Sequence, residues 1–376
     1  MAEDEALEPD IIGDAPHPRM ATRLFGQQAA EAALLEAWAA DRLHHAWLIA
    51  GPRGVGKATL AYRIACARLA AEDEGGMFGP APAPTTLDVD PDHPVARRVL
   101  AGAEPRLHAL TRTVNAKTNR LNTVIRVDDV RAMKGFFQLS SADGGWRVAI
   151  VDAADEMNGP AQNALLKLLE EPPPKVLILL VAHAPNRLLP TIRSRCRRLS
   201  CAPLEAVDLS AALQQAGLAY DGDAGALATL AMGSVGEAVR LIDGDGPTLF
   251  ARLVRLAADA PGMNRPEMIA IAEACAGREA ELTYDMTVRL IDLMLSRLAR
   301  AGALGADGRE AAPTEAQLAL RLAPDESAAR IWAELAAEVG AKISRARMVN
   351  LDPAQVILDT FFAIDAAAAR ARARAA

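Results

Sequence analysis

Large rings are scarce in this 376-residue chain, where aromatic side chains make up only 4%. Its core must therefore close through smaller side chains, and the abundance of Ala and Leu favours helices packed through small and straight groups. Cysteine is scarcer still. Cys66, Cys196, Cys201 and Cys275 form no C-x-x-C pair, which excludes a disulfide-stapled scaffold and makes reduced thiols the expected state. The same dispersal does not suit a closed tetrahedral zinc site, so no zinc is expected. No apolar run reaches the roughly 20 residues needed to cross a bilayer, and no membrane partner is expected. The N-terminal stretch MAEDEALEPDIIGDAPHP lacks the basic start and apolar segment of a secretory signal, so the expected location is cytoplasmic. Excess positive charge is missing too: the formal net charge is −7. Bulk electrostatics thus do not mark a nucleic-acid binder, although local basic patches stay open.

What is there is ordinary globular composition, 51% hydrophobic and 24% charged, over a length that suits two or three domains. Residues 1–20 read as a loose tail. FGQQAAEAALLEAWAADRL follows as an amphipathic helix, with Ala29, Ala33, Leu34 and Trp38 at helical spacing. HAWLIAGPRGVGKATLAYRIACARLA reads as strand, Gly-rich turn and helix. Residues 73–106, rich in Pro, Gly and acids, read as an exposed insertion. TVIRVDDVRAMKGFFQL reads as a strand-like piece and a helix, WRVAIVDAADEM as an apolar strand ending in acids. GPAQNALLKLLEEPPP reads as a helix with Pro160 in its first turn, and KVLILLVAHAP as a strand buried on both faces. This alternation, running to about residue 204, predicts a doubly wound α/β domain with a parallel sheet. Residues 205–245 then read as a small helical set and 246–376 as an all-helical end, with Leu282, Met286, Leu290 and Leu293 as one apolar stripe.

The turn GPRGVGKAT has the spacing of a phosphate-binding loop, G-x-x-x-x-G-K-[ST], with Gly51, Gly56 and Lys57 in place and Gly54 inside the turn. Between strand and helix, such a turn aims backbone N–H groups at a phosphate. The next position should supply a hydroxyl for magnesium, yet it is Ala58, and the first hydroxyl comes one residue late at Thr59. RVAIVDAADEM has the form of the second nucleotide motif. Its apolar strand delivers Asp152 to the sheet edge, but Ala153 stands where a water-activating Glu is typical. Two readings of Asp152 stand open: holding magnesium, or capping the following turn together with Asp155.

The order FGQ, GPRGVGKAT, VAIVDAADEM, NALLKLLEEPP and LLPTIRSRC resembles the bacterial DNA polymerase III clamp-loader branch of the AAA+ superfamily. The likeness covers about residues 20–245 by motif and the remaining helices by architecture only. It implies an AAA+ α/β domain over 21–204, a helical lid over 205–245 and an all-α collar over 246–376. It also implies partnership with other clamp-loader subunits in a pentamer that places a sliding clamp on primed DNA. In such rings the arginine of the S-R-C triplet reaches the γ-phosphate held by a neighbour, a role that maps onto Arg195. The bland alternative is a surface arginine paired with an acid. Departures from the pattern accumulate. The usual zinc cysteines are missing from 73–106, Gly236 stands at the position of the lid arginine, and Ala182 or His183 at the first sensor position.

With the loop hydroxyl, the catalytic Glu, the sensor and the lid arginine all altered, the expected function is a non-catalytic, stator-like subunit that supplies Arg195 in trans. Binding of ATP or ADP with Mg through Lys57 and the glycines stays open. One alternative is an AAA+ enzyme that hydrolyses ATP itself, with Thr59 replacing the missing hydroxyl. Another is a small-molecule kinase, which the helical C-terminal half and the S-R-C triplet disfavour.

Overall fold

The computed structural model describes residues 15–73, 83–115, 118, 120–138, 145–277, 280–305 and 308–375. Most of the expected tail over 1–20, up to residue 14, lies outside the described residues, as do residues 74–82 of the expected insertion. The chain divides into two compact units, Met1–Ala219 with Ser234–Gly236, and Tyr220–Gly233 with Glu237–Ala376.

The first unit is a parallel five-stranded sheet wrapped by helices. Its strands are β1 (Ala46–Ala50), β2 (Leu107–Leu110), β5 (Arg147–Asp152), β6 (Val176–Ala182) and β7 (Arg197–Ser200), in the order β2-β5-β6-β1-β7. A separate two-stranded ribbon joins β3 (Val114–Asn115) to β4 (Arg120–Leu121). β1 and β6 are buried at every position, which is why both read as unbroken apolar runs. The helices are α1 (Gln28–Ala39), α2 (Lys57–Asp73), α3 (Pro94–Leu100), α4 (Val127–Gln138), α5 (Gly159–Glu170), α6 (Pro190–Arg193) and α7 (Ala206–Gln215). Leu48, Ile178 and Leu180 of the sheet share one core with Met133 of α4 and Leu165 and Leu168 of α5. Asn158 caps α5 by accepting from the Ala161 N–H at 2.9 Å, and Pro160 occupies the first turn as expected.

Several expectations need correcting. TVIR is not a strand; Ile125 makes only an isolated bridge to Met157. The missing strands are β2 and β7, two short edge strands whose mixed composition gave no apolar run. Within the expected insertion, α3 buries Val95, Ala96 and Val99, so that part is packed rather than wholly exposed. In α1 the buried face is Ala30, Leu34 and Ala37, while Ala29 and Ala33 are exposed. A run this rich in alanine is apolar in two phases, and packing selects one.

The second unit is helical. It comprises α8 (Ala224–Leu230), most of α9 (Val235–Asp243), α10 (Gly246–Ala258), α11 (Arg265–Ala274), α12 (Glu281–Leu304), α13 (Glu315–Leu322), α14 (Glu326–Met348) and α15 (Pro353–Ala375). α12 and α14 pack side by side, and Asp285 near the start of α12 pairs with Arg347 near the end of α14, so the two run antiparallel. The buried stripe of α12 contains Tyr284, Thr287, Leu290, Ile291, Met294, Leu295 and Leu298. Leu282, expected in that stripe, is 84% exposed. Trp332 of α14 is fully buried and its Nε1–H donates to the Leu322 carbonyl at 2.7 Å. The segment 205–245 does not cluster as one body: α7 belongs with the sheet, α8 with the helical unit. No single helix among the described residues is long and apolar enough to cross a membrane.

Candidate functional site

β1 delivers the chain to Gly51, and α2 begins at Lys57, so the strand–turn–helix order holds. Gly54 has φ +71°, in the left-handed region that glycine enters without a Cβ penalty, and Gly56 follows at φ +93°. Lys57 is 3% exposed, and its ammonium donates not outward but to the carbonyl of Pro52 within its own loop. Burial pushes its pKa down to about 8, against the opposing pull of Asp152, Cys201 and Asp155. Ala58 and Thr59 lie half-buried in the first turn of α2.

The loop is held from two sides. A Cβ on Gly54 would overlap Ser234 Oγ and lie 2.9 Å from the Gly236 N, and Val235 N–H donates to the Gly54 carbonyl at 2.8 Å. The position expected for a lid arginine, Gly236, therefore presents backbone to the loop. On the other side stands Gln27, 2% exposed. Its amide nitrogen donates to the carbonyls of Val55 (3.0 Å) and Ala202 (2.8 Å), and its oxygen accepts from the Ala202 N–H at 3.0 Å. One side chain thus ties the loop to the chain just beyond β7. The sequence displays Gln27 in FGQ but gives no hint of partners 28 and 175 residues away.

Asp152 ends β5 half-buried, near enough to Lys57 to act on its charge, and Ala153 behind it is buried. Asp155 accepts from the backbone N–H groups of His183 and Ala184, both at 2.9 Å. It clips the end of β6 rather than capping the turn that follows it, and both its oxygens are engaged. Glu156 pairs with Arg53 of the loop at 2.8 Å and with Arg112 at 2.9 Å. The His183 ring is pushed down to about 4 by burial and then by Lys57, so it is neutral at neutral pH.

Lys57, Asp152, Asp155 and His183 thus converge at the carboxyl edge of the sheet, where the motif spacing leads a magnesium nucleotide to be expected. The residues present do not fit one being hydrolysed. The metal hydroxyl and the base are methyl groups at Ala58 and Ala153, the lysine is turned onto Pro52, and Ser234 and Gly236 crowd Gly54.

Burying the Lys57 ammonium costs stability, and this has a measurable sign. The Lys57 pKa in the folded chain lies below the ordinary lysine value, so the unfolded chain binds more protons between about pH 8 and 10.5 and stability rises with pH across that window. Lys57→Met is expected to stabilise the chain at pH 7 by about 1–2 kcal/mol and to flatten that rise. Urea unfolding at pH 7 and pH 10 measures both.

Arg195 lies apart from this cluster. Gln162 of α5, 7% exposed, accepts from the Leu189 N–H at 2.9 Å and fixes the entry to α6. Two residues after α6, Arg195 pairs through Nη2 with Glu170 Oε1 at 3.0 Å, and its Nη1 donates to the Thr191 carbonyl at 3.2 Å. Its side chain is 38% exposed. Cys196 is turned inward against the core, where burial pushes its thiol up to about 12. In the free chain Arg195 is therefore a surface arginine paired with an acid, with the guanidinium still reachable from outside. Among the described residues no three His, Cys, Asp or Glu side chains gather as a metal site. Elemental analysis of the purified protein is expected to give far less than one zinc per chain.

Residues 26–205 match the family model described as "DNA polymerase III, delta subunit". Among curated relatives, the DNA polymerase III subunit delta' of Pseudomonas aeruginosa is 37% identical over 42% of this chain and 43% of its own length. The subunit delta' of Bacillus subtilis is 30% identical over 44% of each. The subunit gamma/tau of Mycobacterium bovis is 30% identical over 47% of this chain and 28% of its own. The chain thus spans less than half the length of these relatives. Over residues 26–205, just under half of its length, the chain is thus similar to DNA polymerase III subunits of the delta and delta' type.

Proposed function

We propose that this chain is a non-catalytic, delta'-type subunit of a bacterial DNA polymerase III clamp loader, working in the cytoplasm as one member of a pentamer that places a sliding clamp on primed DNA. The observation that carries the reading is the turn of Lys57 onto Pro52. The one side chain of the loop that must reach a phosphate is spent inside the loop itself. Arg195 remains reachable, which suits a residue that serves the neighbour's nucleotide by stabilising charge during phosphoryl transfer. The test has two parts. The purified chain should show no ATPase above background, and it should co-purify with its genome's other loader subunits when they are produced together. Steady turnover of about one per second, in the range of working ATP-using enzymes, overturns the reading if Lys57→Ala abolishes it.

The helical unit is the proposed assembly contact. Leu282, Met348, Val349 and Leu351 are 52–84% exposed and lie at the end of the α12–α14 pair marked by Asp285 and Arg347. Large apolar side chains grouped on a surface suit a protein partner. Met348→Glu combined with Leu351→Glu is expected to weaken incorporation into the loader at least about tenfold, since charges there stay unpaired once water is excluded. Size-exclusion chromatography of the co-expressed subunits reads this, and unchanged assembly would assign the contact elsewhere.

A further inference from the structure

We propose that Glu170 is a positioning residue for Arg195. It holds the guanidinium in the unassembled chain and gives it up when a neighbour presents a phosphate. The proposal rests on the reading of Arg195 given above.

Glu170 is the last residue of α5. An acid there is placed against the negative end of the helix, where a cation is favoured and a carboxylate is not. Arg195 satisfies both the carboxylate, at 3.0 Å, and the need for a cation at that helix end. Its other arm is fixed by the Thr191 carbonyl, so the side chain is oriented before any partner arrives. The backbone below cannot drift, because Cys196 is anchored in the core and Leu189 is held by Gln162.

Release is easy for two reasons. The pair is exposed, with side chains 38% and 49% accessible, so water and salt compete with it. Lys134 and Lys167 line the same cleft as Glu170 and Glu171, so cations remain beside both carboxylates after Arg195 leaves. A phosphate offers more negative charge and more acceptor oxygens than one carboxylate, so the exchange runs toward the neighbour once nucleotide is there. Glu170 thereby keeps Arg195 from exposed acids on wrong partners and makes its engagement depend on a loaded site.

The removal of this competitor should tighten nucleotide use without altering chemistry. In the fully assembled loader, Glu170→Gln is expected to lower the KM for ATP at the served site by about 1.5- to 5-fold, the range an exposed ion pair provides, with kcat unchanged. The difference should shrink between about 0.05 and about 0.3 M salt as screening weakens the pair. In an Arg195→Ala background Glu170→Gln should change nothing. An unaltered KM in the single variant, or the same KM shift in the Arg195→Ala background, overturns the role of Glu170 while leaving the trans reading of Arg195 standing. That reading fails separately if Arg195→Ala alone leaves the loader's kcat untouched.

Discussion

Arg195→Ala, placed in a fully assembled loader, is expected to slow phosphoryl transfer at the one site it serves by roughly 10³- to 10⁵-fold, as for other arginines supplied across an interface. The loader as a whole loses less, because its other sites keep their own arginines. The substitution should leave the fold intact. The side chain is 38% exposed, and what it loses is one surface ion pair and a hydrogen bond to Thr191, worth about 0–1 kcal/mol. Arg193 is the control. It is also exposed and basic, but it is held by Asn186 Oδ1 at 3.1 Å and lies outside the triplet. The measurement is clamp- and DNA-stimulated ATPase, beside clamp loading, for the two alanine variants in complexes shown to be complete. Equal activity of the Arg195 variant and the wild type sinks the trans role.

Gln27→Leu is expected to be the most damaging single change near the loop. Leucine fills a similar volume but leaves the Val55 carbonyl and both backbone groups of Ala202 without their partner. Ala202 reaches water, whereas Val55 is buried, so the cost is set mainly by one stranded carbonyl and the lost network, about 2–3 kcal/mol. For a unit of this size that lowers Tm by about 4–12 °C. Gln28→Leu, one residue on and exposed, should change Tm by less than about 2 °C, a surface substitution being worth at most about 0.5 kcal/mol. Calorimetry of the two variants decides it. Equal transitions would mean that the loop does not depend on its tie to the end of β7.

The parts of this chain that could be read from its sequence are those with local signatures. β1, β6 and α5 announce themselves because an unbroken apolar run or a proline-capped helix needs only neighbouring residues to be recognised. The loop glycines, Lys57 and Arg195 were legible as motifs, and the missing hydroxyl at Ala58 is visible without coordinates. What stayed hidden depends on distant partners. β7 is four residues with two arginines, and only pairing with β1 makes it a strand. The alanine-rich α1 fits two phases equally well. Nothing in the order of residues says that Glu170 meets Arg195, that Ser234 closes on Gly54, or that Lys57 turns inward. Those facts bear on whether a familiar loop is a working site, and they are properties of packing.

The strand order has a consequence for how the protein is made. β1 lies between β6 and β7, so its partners Ile178–Ala182 and Arg197–Ser200 leave the ribosome roughly 130 to 150 residues after it does. At about 5–20 residues per second, the wait is on the order of 7–30 s. Throughout that time Ala46, Trp47, Leu48, Ile49 and Ala50, all buried in the finished sheet, have no ladder to join and are open to wrong pairing. A nascent chain halted near residue 150 should therefore engage a chaperone that recognises short apolar segments, and one halted beyond the ribosomal tunnel length past residue 202 should release it. Both strand neighbours and the Ala202 backbone that Gln27 grips are by then outside the tunnel, and the centre of the sheet can close in one step.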